Sequence, residues 1–250
     1  VNVPALSGIR AVLFDVLHTL VDDSGFPRYR LRRVLESEDP GFDAARFEEV
    51  YNSLTAKEYD WEAAAVEEPF RTMKERHAAR LTALYRHLDL EGRRDLRSDI
   101  EVLWREIATS RVYPEVPEVL PVLRARGYRL GLVTNADVED PVLRALETAG
   151  IDADFDVIAT SEGVGRYKPD PSLFRYALNK LELGPDEVLM VGDNPASDVM
   201  GAKNTGIAAV WVDRRGREFP DGYPPPDSTV RDLIGLLQLL PGPGFEETDG

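Results

Sequence analysis

Apolar residues along this chain follow two rhythms. Short runs at Ile9–Phe14, Tyr128–Val133, Glu187–Val191 and Ile207–Val212 each stop at polar or small residues: Asp15, Thr134, the Gly192-Asp193 pair and Asp213. Phe155–Ala159 is a weaker fifth run. Runs of this length and punctuation predict strands covered on both faces. Between them lie helical patterns. Asp140 caps a segment with Pro141 at its first position and Gly150 after its end; Asp170-Pro171 opens another, with Leu173, Phe174, Ala177, Leu178 and Leu181 on one face. Asn194-Pro195 opens a third, which ends at Gly206.

Alternation of strand and helix predicts an α/β fold with a doubly wound, Rossmann-like parallel sheet. Residues 24–112 keep the helical rhythm throughout, as in Phe47, Val50, Tyr51 and Leu54, and no stretch alternates like a strand. They read as an inserted domain of four or five helices. The expected organisation is a core of residues 1–23 and 113–240, the insertion 24–112, and a disordered tail 241–250 rich in Gly and Pro.

Composition narrows the partners. A net charge of −15 lacks the basic footprint that a nucleic-acid backbone requires. No apolar run reaches the roughly 18 residues of a membrane span, and Ile9–Val21 is cut by Arg10, Asp15 and His18. The absence of cysteine excludes disulfides, thiolate metal sites and a cysteine nucleophile, and fits a reducing, cytoplasmic setting. The Arg28, Arg30, Arg32 and Arg33 cluster reads as a solvated helix surface. His77 and His87 read as surface or interface residues of the insertion. A homodimer is left open.

In a doubly wound sheet, ligands bind beyond the carboxyl ends of the strands. Asp15, Thr134 and Asp193 all belong there. A carboxylate at a strand tip can attack an electrophile and form a covalent intermediate. The Thr134 hydroxyl and an Asn135 amide N–H suit an anionic substrate group. Lys168, in the loop before Asp170, can hold Asp15 and neutralise charge. Asp15, Asp193 and Asp198 supply hard oxygen ligands of the kind Mg2+ takes.

These residues stand in motifs. Leu13-Phe14-Asp15-Val16-Leu17-His18-Thr19-Leu20 resembles the first motif of the haloacid dehalogenase superfamily. Leu132-Val133-Thr134-Asn135 resembles its second, Tyr167-Lys168-Pro169-Asp170 its third, and Val191-Gly192-Asp193 through Asp198 its fourth. Trp211-Val212-Asp213-Arg214-Arg215-Gly216 is similar to the branch that contains 2-haloacid dehalogenases. The resemblance implies that Asp15 is the nucleophile, Lys168 its partner, and Thr134 with Asn135 the substrate-anion cradle. It further implies Mg2+ held by Asp15, Asp193, Asp198 and the Leu17 main-chain carbonyl, a helical cap at 24–112, and a small anionic metabolite as substrate.

The pattern also departs from the family. Its phosphatases carry an acid–base aspartate where this chain has Leu17. Losing such a group typically costs about 10²–10⁴ in rate. Dehalogenases lack that aspartate too, and Glu58-Tyr59-Asp60-Trp61 resembles their cap. Yet their cap arginine would fall near Ser53, and they replace the Gly192-Asp193 pair by serine and asparagine. Phosphonate-cleaving members use a cap lysine, for which Lys57 lies in the right region. His18 stands where the family usually has glycine, and a histidine there can serve as substitute acid–base. Three functions therefore compete: a Mg2+-dependent phosphate hydrolase, substitution at carbon as in dehalogenation, and a catalytically faded binding protein.

Overall fold

The computed structural model describes residues 6–22, 28–38, 41–55, 70–107, 110–137, 140–151 and 155–241. The chain begins with strand β1 (Ala11–Phe14) and a two-residue strand β2 (Val21–Asp22). Helices α1 (Arg28–Glu38), α2 (Ala44–Thr55), α3 (Met73–His87) and α4 (Leu96–Ile107) follow. Strand β3 (Arg111–Val112) returns the chain to α5 (Val116–Ala125), β4 (Arg129–Thr134), α6 (Pro141–Thr148) and β5 (Val157–Thr160). Next come the single turn α7 (Ser161–Val164), α8 (Pro171–Leu181), β6 (Val188–Gly192) and α9 (Met200–Thr205). Strands β7 (Ala208–Val212) and β8 (Ser228–Val230) and the short α10 (Leu236–Leu239) complete the order.

Six strands form one parallel sheet in the order β5-β4-β1-β6-β7-β8. The expected five runs are its first five strands, each within two residues of the sequence boundary. Because side chains alternate across a strand, β1 feeds two cores. Val12 and Phe14 join one face with α5, α6 and α10, whereas Ala11 and Leu13 join the other with α8 and α9. The fold is the doubly wound α/β arrangement that the alternation of patterns predicts.

Three details differ from the sequence reading. Strand β8 carries one buried residue in three and pairs only with β7, so no apolar run announces it. Arg111–Val112 pairs antiparallel with Val21–Asp22, placing a strand inside 24–112, where none is expected. Two residues are too short to show alternation. The helix at Asn194-Pro195 opens with one wide π-type turn, Pro195–Val199, before α9.

Helices α1–α4 enclose a separate core of Leu31, Leu35, Phe47, Leu81, Leu84 and Leu103 with their neighbours. Within it the Arg94 guanidinium grips Asp99 through two N–H groups, at 2.7 and 2.6 Å, and the Tyr85 hydroxyl donates to the same carboxylate. His77, expected at a surface, is buried at 5% exposure with its ring edge-on to Trp104. Burial, then Arg80 and Arg76, push its pKa down to about 3. Arg32 bonds Glu36 and Glu48, in keeping with a solvated helix surface. Lys57, the Glu58–Trp61 stretch and residues 242–250 of the tail lie outside the described residues.

Candidate active site

The end of β1 determines where Asp15 sits. Its N–H donates to Val191 O on β6 at 2.9 Å, continuing the ladder one residue beyond the strand. Its side chain then emerges at the carboxyl edge of the sheet, between the ends of β4 and β6. Lys168 reaches the same point from the loop before α8, at 1% exposure. Its ammonium donates three bonds: to Asp15 Oδ1 at 2.7 Å, Asp198 Oδ1 at 2.6 Å and the Val133 carbonyl at 2.7 Å. Burial alone works against this ammonium, but Asp15 and Asp198 outweigh it and raise its pKa above the ordinary lysine value.

Asp198 is buried in the wide turn after β6. Its Oδ2 accepts from the Asn194 N–H at 3.0 Å. Burial pushes its carboxyl well above the usual range; Lys168 pulls it down and Asp15 pushes it back up. Its place depends on Gly192. A Cβ at Gly192 would lie 2.2 Å from Asp198 Oδ2 and 2.4 Å from Cγ. Asp193 completes the group, and its carbonyl accepts from the Trp211 indole N–H at 2.8 Å. Donor oxygens of Asp15, Asp193 and Asp198 all lie within 4.8 Å of one another. Three carboxylates around one ammonium leave an excess of negative charge, and a small hard divalent cation fits that donor set.

Thr134 ends β4 at 3% exposure. The Asn135 side chain is engaged by the Lys168 main chain: Lys168 N–H donates to Oδ1 at 2.7 Å, and Nδ2 donates to Lys168 O at 3.2 Å. That side chain thereby braces the lysine loop. Leu17 is half-buried against the core. His18 takes a left-handed backbone (φ 57°), the conformation a glycine usually supplies there. Burial, then Arg215, lower the pKa of its imidazole, which keeps the ring neutral at neutral pH. Ser53 is exposed on α2.

Contacts that sequence reasoning missed tie the helical insertion to these loops. Asp137, three residues beyond Thr134, accepts from Met73 N–H at 2.7 Å and Lys74 N–H at 3.1 Å, capping α3 from the core. The Tyr167 hydroxyl, next to Lys168, donates to Arg71 O at 2.6 Å. Its ring stacks on Phe70, with Arg76 3.8 Å above it. An aspartate in a loop carries no sequence mark of a partner 64 residues away.

Such a sheet, with a carboxylate cluster and a buried lysine at its strand ends, defines a Rossmann-like α/β protein with its site gathered around a strand-tip aspartate. Residues 9–206 match the family of haloacid dehalogenase-like hydrolases, and the chain belongs to it. Pyrophosphatase PpaX of Bacillus velezensis is 30% identical over 92% of this chain and 96% of its own. A phosphoserine phosphatase of Thermus thermophilus is 44% identical over 133 residues; that match spans about half of each protein, 53% in both. Among solved structures, a phosphatase of the family from Thermococcus onnurineus superimposes with TM-score 0.68 at 28% identity, covering 95% of this chain and 100% of that one. These relatives and the family make the protein a hydrolase.

Proposed function

We propose that the protein is a Mg2+-dependent hydrolase that removes phosphate from a small anionic metabolite through an aspartyl intermediate on Asp15. The observation that carries this reading is the convergence of Asp15, Lys168, Asp193 and Asp198 in one cluster, with Lys168 Nζ 2.7 Å from Asp15. Residues 24–112 act as the cap that closes over it. An Asp15 oxygen attacks phosphorus, an O–P bond forms, and the ester O–P bond breaks. Water then attacks phosphorus and frees Asp15. Lys168 holds the nucleophile in line and neutralises charge in the transition state. Thr134 and the Asn135 main-chain N–H cradle the phosphoryl oxygens. Bound Mg2+, held by Asp15, Asp193, Asp198 and the Leu17 carbonyl, supplies electrostatic stabilisation of the phosphoryl group. With Leu17 at the usual acid–base position, His18 is the proposed substitute base: its neutral imidazole would take a proton from the attacking water, while the departing ester oxygen takes its proton from solvent.

Gly192 supports the phosphate reading over dehalogenation. The serine that dehalogenases carry at this position would drive its Cβ into the Asp198 carboxylate. Leu17, at a position where a leaving halide needs no proton donor, and the dehalogenase-like Glu58-Tyr59-Asp60-Trp61 of the insertion favour substitution at carbon. A screen of phosphorylated metabolites and 2-haloacids, with and without Mg2+, separates the two. Turnover should appear with phosphate esters and Mg2+, and vanish in Asp15→Asn; persistence in that variant would remove Asp15 as nucleophile. Leu17→Asp should raise the rate on a generic aryl phosphate, and His18→Gly should lower it. An unchanged rate in His18→Gly would take histidine out of the chemistry.

A further inference from the structure

From the contacts of one side chain at the end of β7 we infer that Arg214 is a positioning residue for Asp15, fastening the turn behind the nucleophile to both linkers of the helical insertion. The inference rests on the reading of Asp15 as nucleophile and adds a residue which that reading does not assign. Arg214 Nε donates to His18 O at 3.1 Å and Nη2 to Thr19 O at 2.7 Å. Both carbonyls belong to the chain leaving Asp15. Nη1 pairs with Glu115 Oε1 at 2.7 Å, and the guanidinium carbon stands 3.5 Å over the Tyr113 ring. Those two residues belong to the chain returning from the insertion. The linkers also meet directly, through Tyr113 N–H to Leu20 O at 2.9 Å and the pairing of Val21 with Val112.

The turn needs such a brace. Inside it, Leu20 and Val21 N–H both donate to Val16 O, and His18 N–H donates to Val21 O. The His18 and Thr19 carbonyls point to Arg214 instead. The Thr19 hydroxyl is buried with no hydrogen-bond partner among the described residues, so none of them holds the turn through that side chain. A planar guanidinium serves two carbonyls, a carboxylate and an aromatic face together; an ammonium has no such fork. His18 and Thr19 follow directly on Leu17, so the same bonds set the direction of the peptide carrying the Leu17 carbonyl. Arg214 thereby links the placement of the insertion to the alignment of Asp15.

The test compares full-length Arg214→Ala and Arg214→Lys with the wild type by hydrogen exchange of residues 16–22 and 111–116, and by turnover of para-nitrophenyl phosphate with Mg2+. Loss of charge-assisted bonds should raise exchange in both segments about tenfold or more, leaving β4 and β6 unchanged. A nucleophile displaced by about 1 Å should lose about 100-fold in kcat with KM nearly constant. Low-millimolar guanidinium should restore part of that kcat in Arg214→Ala, a gain that general destabilisation would not give. Arg214→Lys, which keeps charge and bulk, should stay impaired and serves if the alanine variant fails to fold. Unchanged exchange in 16–22, or wild-type behaviour of Arg214→Lys, would overturn the inference. Absence of phosphate-ester turnover in the wild type would instead sink the functional reading, while the exchange result still decides the role of Arg214.

Discussion

Replacing Gly192 by serine tests the site through one added carbon and its hydroxyl. The new Cβ would sit 2.2 Å from Asp198 Oδ2, 2.4 Å from its Cγ and 2.5 Å from its Cβ. Asp198 lies buried between Lys168 and the Asn194 N–H, so relief requires moving the carboxylate out of both bonds. Overfilling a dense interior costs about 1–3 kcal/mol, and taking one partner from a buried ion pair about 3–5 kcal/mol. The two overlap, because the carboxylate that moves is the one that breaks the pair. A loss of roughly 3 kcal/mol is expected, a large share of the roughly 5–15 kcal/mol that holds a domain folded. Urea melts with and without Mg2+, with calorimetric titration of Mg2+, read both halves of the argument. Gly192→Ser should lower the midpoint and abolish the Mg2+-dependent gain expected of wild type. In an Asp198→Gly background the same serine should cost much less, since its obstacle is gone. A Gly192→Ser protein that melts within about 0.5 kcal/mol of wild type, the size of an ordinary surface change, and still binds Mg2+ would refute the reasoning.

Two further perturbations reach the insertion. His77 titrates near 6.5 when unfolded and at about 3 when folded, so the unfolded chain takes up its proton first as pH falls. Stability is therefore intact above pH 6.5 and declines below it, by roughly 3 kcal/mol at pH 4 from this group alone. His77→Phe should flatten that part of the acid limb in pH-dependent melts; an unaltered limb would mean the ring is not the source. Asp137→Ala should free the Met73 and Lys74 N–H groups of α3 while the Thr72–Glu75 capping box stays in place, costing about 1 kcal/mol locally. Amide exchange at Met73 and Lys74 reads this, and protection equal to wild type would show that the core does not cap this helix.

Parallel strands buried on both faces made the architecture readable. Past Arg10 and Arg129, the runs Ala11–Phe14 and Leu130–Val133 have nothing polar to hide until the sheet ends, so their last apolar residue marks the edge where Asp15 and Thr134 stand. The same logic explains what stayed hidden. Ser228–Val230 buries one side chain, and Arg111–Val112 is too short to alternate. Main-chain acceptors have no letter in a sequence, so the Val133 carbonyl under Lys168 and the His18 and Thr19 carbonyls under Arg214 emerge only from coordinates. His77 looked like any polar residue on a helix until the edge of Trp104 covered it.

The antiparallel contact of Val21 with Val112 has a consequence for how such a chain can change. Some ninety residues leave and rejoin the sheet at neighbouring positions, so the sheet needs from them little more than a short bridge. Helices between those two points can lengthen, shorten or be exchanged without shifting the register of β1 against β4 and β6. A new appetite for substrate can thus be grafted at one doorway while the carboxylates behind it stay where they are.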